Sequence, residues 1–297
     1  RVSRWRPIAA FSISSAKRML RFGSYLLAAS VLDVIYNNVY ALLIGKSSGL
    51  RDVGFYNRAD SIKQLPVGVL TSVISRVAFP VFSQVAGEPD RLRAGVRAAV
   101  RGLMLLNIPM MLGLSACSSQ VVEILVGQKW LPSSPLLSIL CLSGMLWPLQ
   151  VINVNALISL GDSRAFFWLD VAKKVIGFVF LITGAYFGAE GVAWSVVAFS
   201  IVAFAINATF CGRRISYGFQ AQLRDVLPIL SLGLAMYVLL KTVSKNTFLA
   251  PILEVGLLAA VGAIFYFGVG RMLRLSAIGE AAGLLVRVFD RSRFRRK

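Results

Sequence analysis

The sequence predicts an all-α integral membrane protein with about eight transmembrane helices. Of its 297 residues, 57% are hydrophobic, and the mean hydropathy is +0.73. Charged residues make up 15% of the chain, well below the roughly 25% of a soluble globular domain. Apolar residues gather into stretches of about 20, the length that an α-helix needs to cross a bilayer. Together these observations exclude a soluble domain and a disordered chain.

The predicted transmembrane helices follow one another along the chain and are separated by short links. Gly, Pro, Asp and Ser cluster in the links at 45–49, 87–90 and 161–164, as is typical of turns. No link is long enough to hold a folded soluble domain. The predicted spans cover residues 22–45, 65–86, 102–122, 136–160, 166–188, 191–211, 226–240 and 249–272.

Basic residues are distributed unequally between the two sides of this predicted bundle. Lys and Arg number 32 against 13 Asp and Glu, which gives a net charge of +19. If the spans alternate in direction, 22 basic residues lie on the side of the termini, 7 on the other side and 3 within spans. Because cytoplasmic flanks are enriched in Lys and Arg, this asymmetry predicts that both termini are cytoplasmic. It also disfavours a nucleic-acid partner, since the charge follows membrane side instead of forming one basic surface.

The residue types that are missing exclude most enzyme classes. The sequence has no histidine, which rules out His-based triads, His proton relays and most zinc and haem sites. Its cysteines, Cys117, Cys141 and Cys211, lie far apart and form no CxxC motif, so we expect buried single thiols. A glycine-rich phosphate loop is also absent. We therefore expect no enzyme activity, no catalytic residue, no metal and no cofactor.

Two charged residues are expected near the middle of the membrane, where a charge needs a partner or an aqueous cavity. Asp33 lies about halfway along the first predicted span, and Arg76 lies about halfway along the second. In a structural interpretation these side chains form an ion pair between neighbouring helices. In a functional interpretation Arg76 binds an anionic group of a substrate, which suits its planar guanidinium, and Asp33 takes up a coupling cation. The two are compatible, because a substrate could displace the pair.

The first predicted span also carries a polar face. Spacings of three and four residues place Ser30, Asp33, Asn37 and Tyr40 on one side of the helix, with Asn38 beside them. Such a face within a membrane either joins helices or lines a cavity, and the length of this one favours a cavity. Asn37, Asn38 and Tyr40 are therefore candidate substrate-binding residues.

Two further polar groups are candidates for binding substrate. Gln150 and Asn153 lie one turn apart in the fourth predicted span, where hydrogen bonding between helices is the favoured role and substrate binding is the alternative. Asp170, Lys173 and Lys174 open the fifth predicted span and can pair at i,i+3 and i,i+4. We expect these lysines to extend toward the cytoplasmic surface, with a role in attracting anionic head groups as the alternative.

Several runs of residues carry a family resemblance. They are GFYNRA at 54–59, QLP at 64–66, SRVAFPVFS at 75–83, GQKWLP at 127–132 and ALISLGDS at 156–163. Together they resemble segments of Wzx-type flippases of bacterial polysaccharide biosynthesis, which belong to the multidrug/oligosaccharidyl-lipid/polysaccharide (MOP) exporter superfamily. The resemblance covers about residues 22–214. Related members often carry an acidic residue at the position of Tyr40, so either Asp33 replaces it on the same helical face or cation coupling differs.

The resemblance implies a bundle of about fourteen helices, in which two six-helix lobes surround a central cavity beside two further helices. This chain would supply a basic cytoplasmic lead-in (1–21), the C-terminal lobe (22–214), the two additional helices (215–273) and a basic cytoplasmic tail (274–297). The start at Arg1, which is not Met, fits a piece of a longer protein.

The implied function is transport across the bacterial inner membrane. The substrate would be an undecaprenyl-diphosphate-linked oligosaccharide, flipped by alternating access. Polysaccharide polymerase and export proteins are the implied partners. Three alternatives stay open: an exporter of drugs or another lipid in the same superfamily, a membrane enzyme such as a saccharide polymerase or ligase, and a truncated scaffold that transports nothing. The short outer links disfavour the enzyme, and the electrostatic potential of the cavity distinguishes the two exporters.

Overall fold

The computed structural model describes residues 13–161, 163–247 and 249–272, and within the first helix it leaves out several side chains, including that of Asn37. Over these ranges the regular structure is helical, which confirms the predicted all-α fold. The predicted lead-in lies partly, and the predicted tail entirely, outside the described residues. The α-helices are α1 (Ile13–Ser48), α2 (Leu50–Val73), α3 (Phe79–Gln84), α4 (Pro89–Ala116), α5 (Ser118–Val126), α6 (Ser133–Ser159), α7 (Ser163–Ala185), α8 (Gly188–Ile215), α9 (Phe219–Lys245) and α10 (Pro251–Met272).

Seven helical segments within the described ranges are long and apolar enough to cross a membrane. The predicted fifth span corresponds to α7, which has 23 residues but carries Asp170, Lys173 and Lys174. The contacts of α7 place it beside α1. The rings of Tyr25 and Phe167 lie 5.7 Å apart, and further along both helices Lys174 Nζ lies 2.9 Å from Asp33 Oδ1. Because the two helices run side by side in the same direction, α7 occupies the same depth as α1.

Three predicted spans have different bounds in the structure. The second begins at Leu50 and not at 65, and it continues to Gln84. Lys63, which we predicted to lie outside the membrane, therefore lies within this span. Its side chain is buried, and Asp60, three residues earlier, neutralises its charge. The third span ends at Ala116, and after Cys117 the chain starts the separate helix α5. The seventh, predicted to be short, has 27 residues.

The second span contains a wide turn at its predicted midpoint. Residues Ile74–Ala78 form a π-helical segment between α2 and α3, in which the N–H of Phe79 donates to the carbonyl of Ile74. Pro80 follows directly and has no N–H to offer the carbonyl of Arg76. The helix accommodates this missing donor by widening one turn, as π-bulges commonly do at functional sites.

Helix α6 is the centre of the bundle and packs against α2, α4 and α8. Gly144 allows this close approach, because a Cβ there would lie 2.9 Å from Met111 Sδ of α4 and 3.2 Å from Lys63 Cγ of α2. A second close contact joins α9 to α4, where a Cβ on Gly233 would lie 2.5 Å from a methyl carbon of Ile108. Small residues at such positions bring helix backbones close enough for dispersion forces to hold a membrane bundle together.

Polar contacts attach α9 to the rest of the bundle near its start. The Asp225 carboxylate accepts hydrogen bonds from Arg97 (2.7 and 2.9 Å), Arg101 (2.7 Å) and the Tyr217 hydroxyl (2.8 Å). Burial and the hydrogen bond to Asp225 raise the pKa of Tyr217, so this hydroxyl stays protonated as a donor. Arg97 and Arg101 lie in the first half of α4, and Asp225 lies near the start of α9. The two helices therefore run parallel.

A second polar group joins α9, α10 and α5 at the opposite end. The Glu254 carboxylate accepts hydrogen bonds from Gln120 and from Ser244, both at 2.7 Å. Helix α9 is therefore bound to its neighbours near both of its ends, and α10 near its start. The division of the chain into a lobe (22–214) and an additional pair (215–273) stays a prediction.

Candidate substrate pathway

The exposed face of α2, continued by the π-helical turn, carries polar residues in two groups, at 57–64 and at 72–76. We call them the α2 polar stripe, and all of them are exposed: Asn57, Ser61, Gln64, Ser72, Ser75 and Arg76. Most are separated by three, four or eight residues, which places them on one side of the helix. Ser61 and Ser72 donate to backbone carbonyls of the preceding turn, at 2.7 Å each. The stripe extends the predicted polar region from α1 onto a second helix. Its helical spacing can be recognised in the sequence if the helix is taken to begin at residue 50.

Arg76 lies within the π-helical turn and is exposed on the same side of the bundle. Its guanidinium has no ion pair or hydrogen bond with any side chain in the described ranges. A guanidinium can donate two parallel hydrogen bonds to a phosphate, so this position suits an anionic ligand. The predicted ion pair between Asp33 and Arg76 is wrong, because Asp33 pairs with Lys174 of α7 instead.

Among the candidates of α1, Tyr40 contacts this stripe. The Tyr40 hydroxyl donates to Asn57 Oδ1 at 3.1 Å, so the polar faces of α1 and α2 meet there. Asn38 is exposed, and its amide donates to the carbonyl of Val34 at 2.6 Å. Asp33 is 57% exposed. The side chain of Asn37 lies outside the described part of the structure.

The charged residues of α7 form the expected local pairs but lie deeper than predicted. Asp170 pairs with Lys173 at 3.3 Å and with Lys174, which confirms the i,i+3 and i,i+4 pairing. Lys173 is buried, and the Lys174 side chain is 13% exposed near the midpoint of α7. The expectation that these lysines extend to the membrane surface is wrong, because α7 begins at Ser163 and α1 supplies a carboxylate at their depth.

Gln150 and Asn153 make contacts between helices. Gln150 Nε2 lies 3.4 Å from the carbonyl oxygen of Ser200 on α8. Asn153 is buried and exchanges two amide hydrogen bonds with Gln222 of α9, at 2.7 and 2.9 Å. These contacts agree with the hydrogen bonding between helices that we expected as the favoured role, and they leave Asn153 away from the exposed stripe.

Two of the sequence runs that carry the family resemblance meet at the start of α2. Arg58 lies with its guanidinium carbon 4.9 Å from the centre of the Trp130 ring, and Phe55 contacts the same ring edge-on. A Cβ on Gly54 would lie 3.8 Å from Trp130. The GFYNRA and GQKWLP runs therefore form one packing unit, with the cation–π contact joining α2 to the link before α6.

An apolar cavity of about 480 Å³ lies between α4, α5, α9 and α10. Met110, Met236 and Leu258 line it, together with Tyr266, whose buried hydroxyl has no hydrogen-bond partner in the described ranges. Cys117 lines it as well, and burial raises the pKa of this thiol to about 11, so it is neutral at physiological pH. The volume and lining suit a hydrocarbon chain. Nowhere in the described residues do three or more His, Cys, Asp or Glu side chains gather as a metal site would require.

Comparison with known proteins identifies relatives of this fold. Residues 1–135 match the family model described as a polysaccharide biosynthesis protein. The chain is 27% identical over 245 residues to the teichuronic acid biosynthesis protein TuaB of Bacillus subtilis (strain 168), covering 82% of this chain and 51% of that protein. It is 32% identical over 142 residues to the lipopolysaccharide biosynthesis protein WzxC of Escherichia coli (strain K12), covering 48% and 29%. The chain is therefore similar, over parts of its length, to curated bacterial proteins of polysaccharide biosynthesis, WzxC among them.

A solved structure has a similar fold. The lipid II flippase MurJ, in an inward closed conformation, aligns with a TM-score of 0.68 at 16% identity, covering 89% of this chain and 57% of that one. Its name describes a transporter and not a catalyst. The chain spans about half the length, or less, of these relatives.

Proposed function

We propose that this chain forms part of a transporter that flips an undecaprenyl-diphosphate-linked oligosaccharide across the bacterial inner membrane. The observation that carries the proposal is the α2 polar stripe, which is exposed on a membrane-spanning helix and includes Arg76, a cation with no ion pair among the described residues. A polar face and a charge in contact with hydrocarbon are energetically costly. They are stable if they line an aqueous pathway through which a polar, anionic substrate passes.

The chemistry of the stripe matches the parts of such a substrate. The Arg76 guanidinium would bind the diphosphate, and amides such as Gln64 would hydrogen-bond sugar hydroxyls. Tyr40 of α1, which contacts Asn57 of the stripe, would extend the same polar wall. A polyprenyl chain would stay in the hydrocarbon, and the apolar cavity offers one place for it.

Alternating access fits a pathway that is open on one side of this bundle. The polar faces of α1 and α2 are exposed along the described chain, so a second body is needed to close a cavity around a substrate. The partner body would rock against this one and expose the substrate first to the cytoplasm and then to the periplasm. Both termini would be cytoplasmic, because 22 basic residues lie on their side. Association with a polymerase or export proteins belongs to the same proposal.

The substitution Arg76→Ala tests the role of the guanidinium. We expect surface polysaccharide in the host cell to fall at least about tenfold while the amount of protein in the membrane is unchanged, since the side chain is exposed. Arg76→Lys keeps the charge but loses the paired donors, so an intermediate level is expected.

The matched control is Arg91→Ala. Arg91 is also exposed, but it pairs with Glu88 at the start of α4, away from the stripe. We expect normal polysaccharide from this variant. Normal polysaccharide from Arg76→Ala would contradict the proposal and favour a scaffold without transport activity.

The apolar cavity supports a second candidate, an exporter of another lipid or of amphipathic drugs. A binding assay with the purified protein separates the two. An anionic lipid diphosphate should quench tryptophan fluorescence in the wild type and bind at least about tenfold more weakly to Arg76→Ala. If cationic amphiphiles bind instead and Arg76→Ala has no effect on them, the second candidate replaces the first.

A further inference from the structure

Four charged side chains meet between α1 and α7 near the middle of the membrane. Lys174 Nζ lies 2.9 Å from Asp33 Oδ1 and also forms an ion pair with Asp170. Lys173 Nζ lies 3.3 Å from the other oxygen of Asp170. The cluster holds two carboxylates and two ammonium groups, so its formal charges cancel. Cancellation allows these groups to lie at membrane depth.

The position of Lys174 differs from that of Lys173. Lys174 bridges carboxylates of two different helices, whereas Lys173 forms an ion pair with Asp170 of its own helix. A single positive charge at the point between Asp33 and Asp170 is therefore attracted by carboxylates of both helices. A soluble monovalent cation that joined α1 to α7 would occupy this same point.

We propose that the Lys174 ammonium acts as a tethered cation that takes the place of a soluble coupling ion between Asp33 and Asp170. A role of this ammonium in ion coupling rests on the proposed transport function. Its position between Asp33 and Asp170 does not. It follows that Asp33 is not a sodium ligand in this protein. It also follows that removing the ammonium creates a cation site with a surplus negative charge and two carboxylates from different helices.

The test is thermal unfolding of the purified full-length protein in detergent, in NaCl and in choline chloride of equal ionic strength. The wild type should have the same melting temperature in both salts, because Lys174 already occupies the position. Lys174→Met should melt at least about 2 °C higher in NaCl than in choline chloride, with saturation as NaCl increases, since a bound ion stabilises the folded state.

Two variants serve as controls. Lys173→Met also removes one positive charge but leaves Lys174 between the carboxylates, so it should show no selective response to sodium. Asp33→Asn combined with Lys174→Met removes one ligand of the created site and should abolish the response.

Two results would overturn the inference. One is a sodium response of the wild type that Asp33→Asn removes, and this measurement is available even if Lys174→Met does not fold. The other is a folded Lys174→Met protein that is indifferent to sodium. Either result leaves the flippase proposal to be decided by Arg76→Ala, and normal polysaccharide from Arg76→Ala leaves the melting experiment unaffected.

Discussion

At the scale of single residues, charges in this protein are stabilised in groups. Asp225 illustrates this, because its carboxylate is 4% exposed and accepts hydrogen bonds from two arginines and a tyrosine. Buried ion pairs of this kind contribute modestly when complete, but removing one partner leaves the other charges without compensation. The same reasoning applies to Asp170 with its two lysines.

The substitution Asp225→Asn should lower the free energy of unfolding by about 3 kcal/mol, because Arg97 and Arg101 lose their counter-charge. Thermal unfolding in detergent measures the loss. Asp90→Asn is the control, since Asp90 is exposed at the start of α4, and its stability should change by less than about 0.5 kcal/mol. Equal stabilities of the two variants would contradict the role assigned to Asp225.

At the scale of helices, close packing and local breaks decide the arrangement. The glycine of α6 brings α2 and α4 together, and the π-helical turn sets the orientation of Arg76. Neither feature follows from hydrophobicity, because glycine and proline occur throughout the predicted spans. Pro80 explains the wide turn through its missing N–H, whereas the proline at 148 lies inside α6 with no π segment described there.

The substitution Gly144→Ala should lower the free energy of unfolding by about 1–3 kcal/mol, because the new methyl group would press on Met111, Lys63 and Val67. Gly102→Ala in α4 is the control, since a Cβ there meets nothing within 4 Å. Helix propensity alone predicts that this control is neutral or slightly stabilising. Melting curves of the two variants in one detergent give the comparison, and a stable Gly144→Ala protein would show that α6 can move away.

At the scale of the whole molecule, parallel neighbours define the path of the chain through the membrane. Helix α7 runs parallel to α1, and α9 runs parallel to α4. If eight spans cross the membrane in alternating directions, all odd-numbered spans run the same way. Helices α1, α4, α7 and α9 correspond to the first, third, fifth and seventh predicted spans, so both parallel pairs agree with this alternation. Helix α7 carries too many charges to be counted among the helices that are apolar enough to cross a membrane. Its contacts nevertheless place it at the depth of α1.

Cysteine labelling of intact cells tests whether α7 crosses the membrane. Arg164→Cys and Tyr186→Cys lie near its two ends, are exposed, and would be introduced after the native cysteines are replaced by alanine. We expect a membrane-impermeant maleimide to label Tyr186→Cys in intact cells and Arg164→Cys after cell lysis, since Arg164 lies on the basic, cytoplasmic side. Labelling of both from outside, or of neither, would mean that α7 does not cross.

The sequence by itself determined the properties that depend on residues close together along the chain. Stretches of apolar residues defined membrane helices, and spacings of three and four defined the pairs of Asp170 with its lysines, because both follow from the geometry of one helix. The ends of helices did not follow from composition. The charge of Lys63 indicated a position outside the membrane, but Asp60 neutralises this lysine within the span.

The tertiary structure decided which helices are neighbours. Sequence reasoning placed Asp33 and Arg76 at the same depth and offered an ion pair between them as one interpretation, whereas the fold pairs Asp33 with Lys174 and leaves Arg76 exposed. It likewise brought Trp130 onto Arg58. Depth in the membrane depends on position within one helix, which the sequence records. Pairing depends on contacts between segments far apart along the chain, and only close packing of the whole bundle selects among them.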